Sequence, residues 1–356
     1  MANKLDSIKR QLIKLDVVPQ SSQLYREAAL SILREAVPFS AACCTSVDPI
    51  TLLSTGSSTD EDIEAIHHQL FEYEYWHEDY NSFEKLAQSA MPAAALSEAT
   101  EGQLDRSARY REVLAPAGFR DELRTALVIE GACWGYITLF RKADEPLFAE
   151  EECRSMASLA PIMAKALKRR GLELPSANAS VWKEETGIIV LSEQLEICSL
   201  NQEAKHWLQE LRSMENMDNH VLPRPVLAVC SRALTPDGLQ ADSMKFAKVC
   251  IRTPNGLYLS IRASKLAGVQ GQIQLAVSIE PAKPTEILPF IAQAYALTAR
   301  ENQIIERIIR GFSTKEMAHS LHISAYTVQD HLKSIFSKTN VSSRRELLWE
   351  LFSRHS

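Results

Sequence analysis

Between Leu297 and Phe352 the 356-residue chain announces four helix starts in succession, and their spacing leaves this segment little freedom in what it can fold into. Thr298-Ala-Arg-Glu301, Ser313-Thr-Lys-Glu316 and Ser343-Arg-Arg-Glu346 each set a hydroxyl three residues ahead of a glutamate. That is the spacing of a capping box, in which the hydroxyl accepts the N3 amide and the carboxylate accepts the cap amide. Ser324 opens one more helix between the last two boxes. Gly311 ends the first helix, and Asn340, which tolerates left-handed backbone, ends the third. Leu321-His322-Ile323 is left as a short turn, so helices over 313–321 and 324–338 meet at a tight connection.

In the third of these helices Val328, Leu332, Ile335 and Phe336 recur at helical spacing and face inward. Tyr326, Gln329, Asp330 and Lys333 are left outward. That set suits a major groove, because glutamine pairs with adenine N6 and N7, aspartate accepts from cytosine N4, and lysine reaches guanine or phosphate. Lys315, Lys338 and Arg344, with the hydroxyls of Ser313 and Ser343 at helix N-termini, are placed for phosphates. Charge agrees. Residues 296–356 hold nine basic and six acidic side chains, +3, while the 30 basic and 39 acidic ones upstream leave −9. The net −6 therefore hides a small cationic module behind a large anionic body. His331, beside Leu332, reads as a packing residue and not as a ligand.

The residues Leu297-Thr-Ala-Arg-Glu301, Gly311-Phe-Ser-Thr-Lys-Glu-Met-Ala318, Leu321-His-Ile-Ser-Ala-Tyr-Thr-Val-Gln-Asp-His-Leu332 and Ile335-Phe-Ser-Lys338 closely resemble the LuxR-type helix-turn-helix of bacterial transcription regulators. The resemblance covers 297–352. It implies an all-α four-helix DNA-binding domain at 296–356, whose third helix reads the major groove and whose fourth supports a homodimer. Double-stranded DNA is the partner it implies, with RNA polymerase as a protein partner. By position Gln329, Asp330 and Lys333 match the family's base-reading sites, and Tyr326 and Thr327 complete the DNA-facing set. The pattern departs where Gln329 replaces a commonly basic residue and where Thr339-Asn340 replaces Leu-Gly.

Upstream, the chain is too long for one core at roughly 100–200 residues per domain. A helix is expected over 22–37 behind a serine cap, with Leu24, Ala28, Ala29, Ile32 and Leu33 on its apolar face. A strand over 41–47 and a helix over 60–75 follow. Residues 120–130 and 132–141 flank Gly131 as antiparallel strands. A long helix over 148–170 carries Met156, Leu159, Met163, Ala166 and Leu167 as one stripe. Lys168-Arg169-Arg170 then sits where a helix C-terminus favours cations, so it reads as a helix end and not as a nucleic-acid patch. Residues 171–180 have linker composition. Beyond them come short strands over 187–191 and 195–200, an Asn201-capped helix through Leu211, and strands over 245–252 and 257–264 around Thr253-Pro254-Asn255-Gly256. A strand over 272–279, a linker over 280–285 and helical residues 286–295 complete the reading.

Tyr110-Arg-Glu-Val-Leu-Ala-Pro-Ala-Gly-Phe119 and Cys133-Trp-Gly-Tyr-Ile-Thr-Leu-Phe140 resemble the GAF-like part of certain LuxR-type regulators. The resemblance implies a GAF-like sensor domain over 18–171, and residues 181–280 are more weakly similar to a PAS domain. The expected fold class is α+β multidomain: GAF-like and PAS-like α/β sensor domains followed by the all-α helix-turn-helix domain. A small-molecule effector is the signal such domains imply. Tyr73, Tyr75, Trp76, Tyr80 and Phe83 are the candidate ligand-lining residues, weighed against a core or interface role for the same aromatics.

Other classes are excluded by missing chemistry. GxxxxGK[ST], HExxH and GxSxG are absent, and the seven cysteines contain no CxxC. A thiol redox enzyme would need Cys43, Cys44 or Cys133 as nucleophile, and the apolar neighbours of Cys43 and Cys44 favour buried, inert thiols. An adaptor without DNA binding is the other alternative, opposed by the basic residues of the C-terminal helices. No cofactor is expected, and the protein is not expected to be an enzyme. No run of about 20 apolar residues exists to span a membrane, and the expected location is the cytoplasm.

Overall fold

Two sheets of identical strand order, followed by a helical module, make up the computed structural model, which describes residues 2–172, 185–218, 221–235, 247–254, 256–267 and 272–352. Helices α1 (Ala2–Asp16) and α2 (Ser22–Ala36) precede strands β1 (Ala41–Val47) and β2 (Ser54–Thr59). Short helices α3 (Glu61–Glu64), α4 (His67–Trp76) and α5 (Phe83–Gln88) lead to β3 (Ala93–Ala95) and α6 (Leu96–Ala99). Strands β4 (Phe119–Ile129) and β5 (Ala132–Lys142) and the long α7 (Glu150–Leu172) complete this part. The strands run in the order β2-β1-β5-β4-β3.

Successive strand residues point to opposite faces, and both faces of this sheet are covered. Cys44, Leu123, Leu127, Ile137 and Leu139 share one core with Leu12, Tyr25, Leu33 and Met156 from α1, α2 and α7. Ala41, Phe119 and Phe140 turn the other way toward Ile63, Leu96 and Leu114. There Tyr136 also stacks on Phe83 at 3.9 Å. Glu130 and Gly131, at φ 52° and 76°, form the two-residue turn that matches strand twist.

The second sheet comprises β6 (Gly187–Ser192), β7 (Ile197–Leu200), β8 (Lys248–Arg252), β9 (Tyr258–Ala267) and β10 (Ile273–Pro281), with α8 (Gln202–Glu215) and α9 (Arg224–Leu234) between β7 and β8. Its order, β7-β6-β10-β9-β8, repeats the first rank for rank. On one face Trp207, Leu211 and Val229 of the helices bury Ile189, Ile261 and Val277, while on the other Tyr258 packs with Ile287, Phe290 and Ile291. Gly187 permits this approach, since a Cβ there would lie 2.8 Å from Trp207 and 2.9 Å from the Ala204 Cα.

Helix α10 (Pro284–Ala294) joins the sheets to the C-terminal helices α11 (Ala299–Ile309), α12 (Thr314–Ser320), α13 (Ala325–Thr339) and α14 (Arg344–Phe352). Its Phe290 meets Trp134 of β5 edge-on at 5.4 Å and Tyr258 of β9 at 5.8 Å.

The α+β multidomain class expected from the sequence is the class that folds, and β1, β4, β5 and α7 lie close to their expected places. Three expectations change. The helix over 60–75 is two pieces, interrupted where Ile66 leaves helical backbone at φ −111°. The apolar face of α2 is rotated: Leu24 is 54% exposed, while Tyr25 and Leu30 are buried. The linker over 280–285 is mostly structure, with β10 running to Pro281 and α10 opening at Pro284, whose missing N–H costs nothing at a first helical turn. The linker at 173–180 and residue Asn255 of the hairpin turn lie outside the described residues. The basic triplet is a helix end, as expected: Lys168 pairs with Glu130 at 2.5 Å, and Arg169 and Arg170 pair with Asp16 at 3.0 and 2.7 Å.

Candidate nucleic-acid interface

Local caps position the interface before any tertiary contact is counted. The Glu301 amide donates to Thr298 Oγ1 at 3.2 Å while the Thr298 amide donates to Glu301 Oε2 at 2.7 Å. Ser313 and Glu316 repeat the exchange at 3.3 and 2.7 Å. The amide bond of Ser313 to the Glu316 carboxylate favours its charged form and lowers its pKa. Ser324 caps α13 by accepting the Thr327 amide at 3.0 Å, and its hydroxyl also meets Thr327 Oγ1 at 2.9 Å. The third expected box forms only in half. Ser343 Oγ accepts the Glu346 amide at 3.1 Å, but the Glu346 carboxylate takes the Ser342 amide and hydroxyl instead.

Helices α12 and α13 are joined by 321–324, where His322 adopts φ 54° and the Ile323 amide returns to the Ala318 carbonyl at 3.0 Å. Arg300 of α11 donates to the Leu321 carbonyl at 2.9 Å and pins this turn. The sequence offered no signal for that role beyond a basic residue in a first helical turn. Asn340 ends α13 in left-handed backbone at φ 55°, as its residue type suggests.

Helix α13 then presents two unlike faces. Val328, Leu332 and Ile335 are sealed against α11 and α12, with Phe336 half-buried beside them. Tyr326, Gln329, Asp330 and Lys333 lie at i, i+3, i+4 and i+7 and are all exposed, Tyr326 at 74%. Lys333 rests 3.7 Å from Asp330 along the same face. Ser313, Lys315 and Ser343 are exposed as well, and Thr327 is half-buried through its cap contact.

Lys338 and Arg344, expected at phosphates, also have partners within the protein. The Lys338 ammonium donates to Glu301 Oε2 at 2.7 Å and to the Ala296 carbonyl at 3.0 Å, so it already has two partners inside the protein. Glu301 is 2% exposed and accepts Ser334 Oγ at 2.7 Å as well. Burial opposes its ionisation, yet the bonds from Lys338, Thr298 and Ser334 outweigh that and hold its carboxyl down at about 2. The local sequence marks Glu301 only as a cap; its tie to α13 spans 37 residues and has no local signature. Arg344 donates to Thr314 Oγ1 at 2.7 Å, bracing α14 against the start of α12.

The five aromatic candidates for ligand lining do not gather around one space. Tyr75 and Phe83 border a cavity of about 70 Å³ beside Cys43, Glu74 and Arg124, room for about two waters at roughly 30 Å³ each. Trp76 instead donates to the Ser231 carbonyl of α9 at 2.9 Å, Tyr73 bonds Glu112 and stacks on His77, and Tyr80 packs against the Phe119 cluster. Trp76 and Tyr75 thus both touch the part of the chain that holds the second sheet. Desolvation pushes the thiols of Cys44, Cys133, Cys153 and Cys230 up to about 12, which leaves them as packing groups at neutral pH. Among the described residues no His, Cys, Asp or Glu cluster is arranged to hold a metal, and no helix is long and apolar enough to cross a membrane.

Comparison with known proteins bears on the same segment. Residues 295–350 match the model of bacterial regulatory proteins of the luxR family. The spore germination protein GerE of Bacillus subtilis is 36% identical over 55 residues, which are 15% of this chain and 74% of GerE. The HTH-type transcriptional regulator MalT of Vibrio cholerae is 32% identical over 59 residues, 17% of this chain and only 6% of MalT. The chain thus spans a small fraction of the length of some relatives it matches. Among solved structures, the GAF domain of the cyanobacteriochrome TePixJ covers 44% of this chain and 94% of its own at 18% identity, with a TM-score of 0.35.

Proposed function

This chain belongs to the LuxR family of bacterial regulatory proteins, and from that premise we propose that it is a DNA-binding transcription regulator whose α13 reads an operator in the major groove. One observation carries the reading. A helix sealed on one side and capped at both ends presents Tyr326, Gln329, Asp330 and Lys333 together to solvent. Gln329 and Asp330 are the base-reading residues, with Lys333 reaching guanine or phosphate and the Tyr326 ring offering apolar contact to a thymine methyl. Ser313, Lys315 and Ser343 hold phosphates at helix starts, and Thr327 steadies the N-terminus of the reading helix. Lys338 and Arg344 act one step removed, holding α13 and α14 in place.

One short helix supplies limited affinity, so the protein binds as a homodimer on an imperfect palindrome with half-sites about one helical turn apart. The preceding sheets, over 18–171 and 181–280, serve as sensor domains for a small-molecule effector. RNA polymerase is the protein partner through which binding alters transcription in the cytoplasm. The test is genome-wide mapping of occupied sites with the full chain. Enrichment of a palindromic sequence supports the reading, and the absence of any enriched site overturns it.

A further inference from the structure

A cavity of about 780 Å³ opens where the two sheets meet α10, more than ten times the space beside Tyr75 and Phe83. That is the size range of small-molecule sites. Its wall draws on each part of the chain that it separates: Arg26 of α2, Trp134 of β5, Glu215 of α8, Tyr258 of β9 and Phe290 of α10.

Two buried charges in this wall are incompletely matched. Arg26 is 3% exposed, and its guanidinium bonds only neutral groups: Ser22 Oγ at 2.8 Å, Ser46 Oγ at 3.1 Å and Gln23 Oε1 at 3.4 Å. Its Nε has no partner at all. Glu215 is 7% exposed; its Oε2 accepts from Arg224 at 3.2 Å, while its Oε1 has no donor. The two groups face the same spot, since a Cβ built on Gly56 would lie 3.5 Å from Arg26 Nη2 and 3.5 Å from Glu215 Oε1. Buried polar groups are almost always satisfied, so a guanidinium bonded to neutral oxygens alone and, beside it, a carboxylate oxygen without a donor point to a missing partner. That partner must bring an acceptor of negative charge to Arg26 and a donor to Glu215. A dianion is disfavoured by Glu215, and the aromatic wall asks for an apolar body.

We propose that this junction binds a zwitterionic α-amino acid with an aromatic or large aliphatic side chain, its carboxylate on Arg26, its ammonium on Glu215 Oε1 and its side chain against Trp134, Tyr258 and Phe290. The regulatory consequence rests on the reading above. A ligand shifts an equilibrium only by its differential affinity for the two states. A site walled by both sheets and by α10 exists only while they are assembled this way, so occupancy favours this placement of the helix that leads into α11.

The test is calorimetric titration of the full chain with L-phenylalanine, L-tryptophan, L-leucine and L-methionine. At least one binds saturably. Its amide, which lacks the carboxylate, and its N-acetyl form, which lacks the ammonium, each bind about tenfold weaker or worse. Arg26→Gln loses binding to the same degree. Should Arg26→Gln fail to fold, Ser213→Trp decides in its place, because Ser213 is exposed and borders the cavity. No saturable binding by any of the four, equal binding of the amide and N-acetyl forms, or undiminished binding by the deciding variant overturns the proposal. Genomic occupancy is a separate readout. A protein that occupies genomic sites but binds none of the four amino acids loses this inference and keeps the regulator reading, and the converse result does the reverse.

Discussion

Two buried polar constellations, one in the helical module and one at the junction of the sheets, are built from the same kinds of groups and differ in whether they are complete. Around Glu301 every strong partner is present: Lys338, Ser334 and the Thr298 amide all donate within 2.7 Å. Around Arg26 and Glu215 the charges stand near one another with an orphaned atom on each, and burial lowers the pKa of Arg26 by more than the nearby Glu215 carboxylate raises it. The closed network fixes α11 against α13 and so fixes the face offered to DNA. The open one leaves capacity for a ligand. Completeness, more than burial, separates a polar group that holds the fold from one that can report on a signal.

The largest expected effect breaks the closed side. Glu301→Ala strands the Lys338 ammonium and the Ser334 hydroxyl and removes a cap, and should lower the stability of the helical module by about 2–4 kcal/mol. Chemical denaturation followed by circular dichroism measures it; a loss below about 0.5 kcal/mol, the level of an ordinary surface change, would mean the network is ornamental. The same carboxyl gives a pH signature. Its folded pKa of about 2 lies below the ordinary 4.5, so its contribution is whole above about pH 4.5 and fades as pH falls through about 2. The stability difference between the native chain and Glu301→Gln should therefore shrink across that window, and a constant difference would contradict the assignment.

Next in size is the reading face. Gln329→Ala should cost roughly 1–3 kcal/mol on the operator and relax preference at one base position, whereas Lys315→Ala should weaken all sequences alike and lower the salt slope by about one. The open side gives the smallest stability effect. Arg26→Gln removes a buried cation that has no carboxylate in hydrogen-bonding contact, so the unfolding temperature should stay level or rise slightly without ligand. A drop as large as that of Glu301→Ala would make Arg26 a structural residue and erase the contrast between the two constellations.

The reading face was legible in the sequence because its information is local: caps lie three residues from their partners, and the burial stripe of α13 follows helical spacing. Strands β2 and β3 were not, because Ser-Thr-Gly-Ser-Ser-Thr and Ala-Ala-Ala carry no alternation of large apolar residues and gain their strand state from β1 and β4. Helix α1, whose Ile8 and Leu12 are fully buried, and helix α9 were also unforeseen. The shared order of the two sheets had no counterpart in sequence similarity, since topology does not require matching side chains. The second task of Lys338 and the approach of Arg26 to Glu215, 189 positions apart, depend wholly on tertiary placement.

The exposed face of α13 should discriminate between DNA sequences. Fluorescence anisotropy of the full chain on an operator recovered by genome-wide mapping, and on a scrambled duplex of equal length, measures this at one fixed salt concentration. The ratio of the two affinities should fall about fivefold or more in Gln329→Ala, with binding to the scrambled duplex unchanged. An unchanged ratio, or an equal loss on both duplexes, would contradict the claim that this face reads DNA.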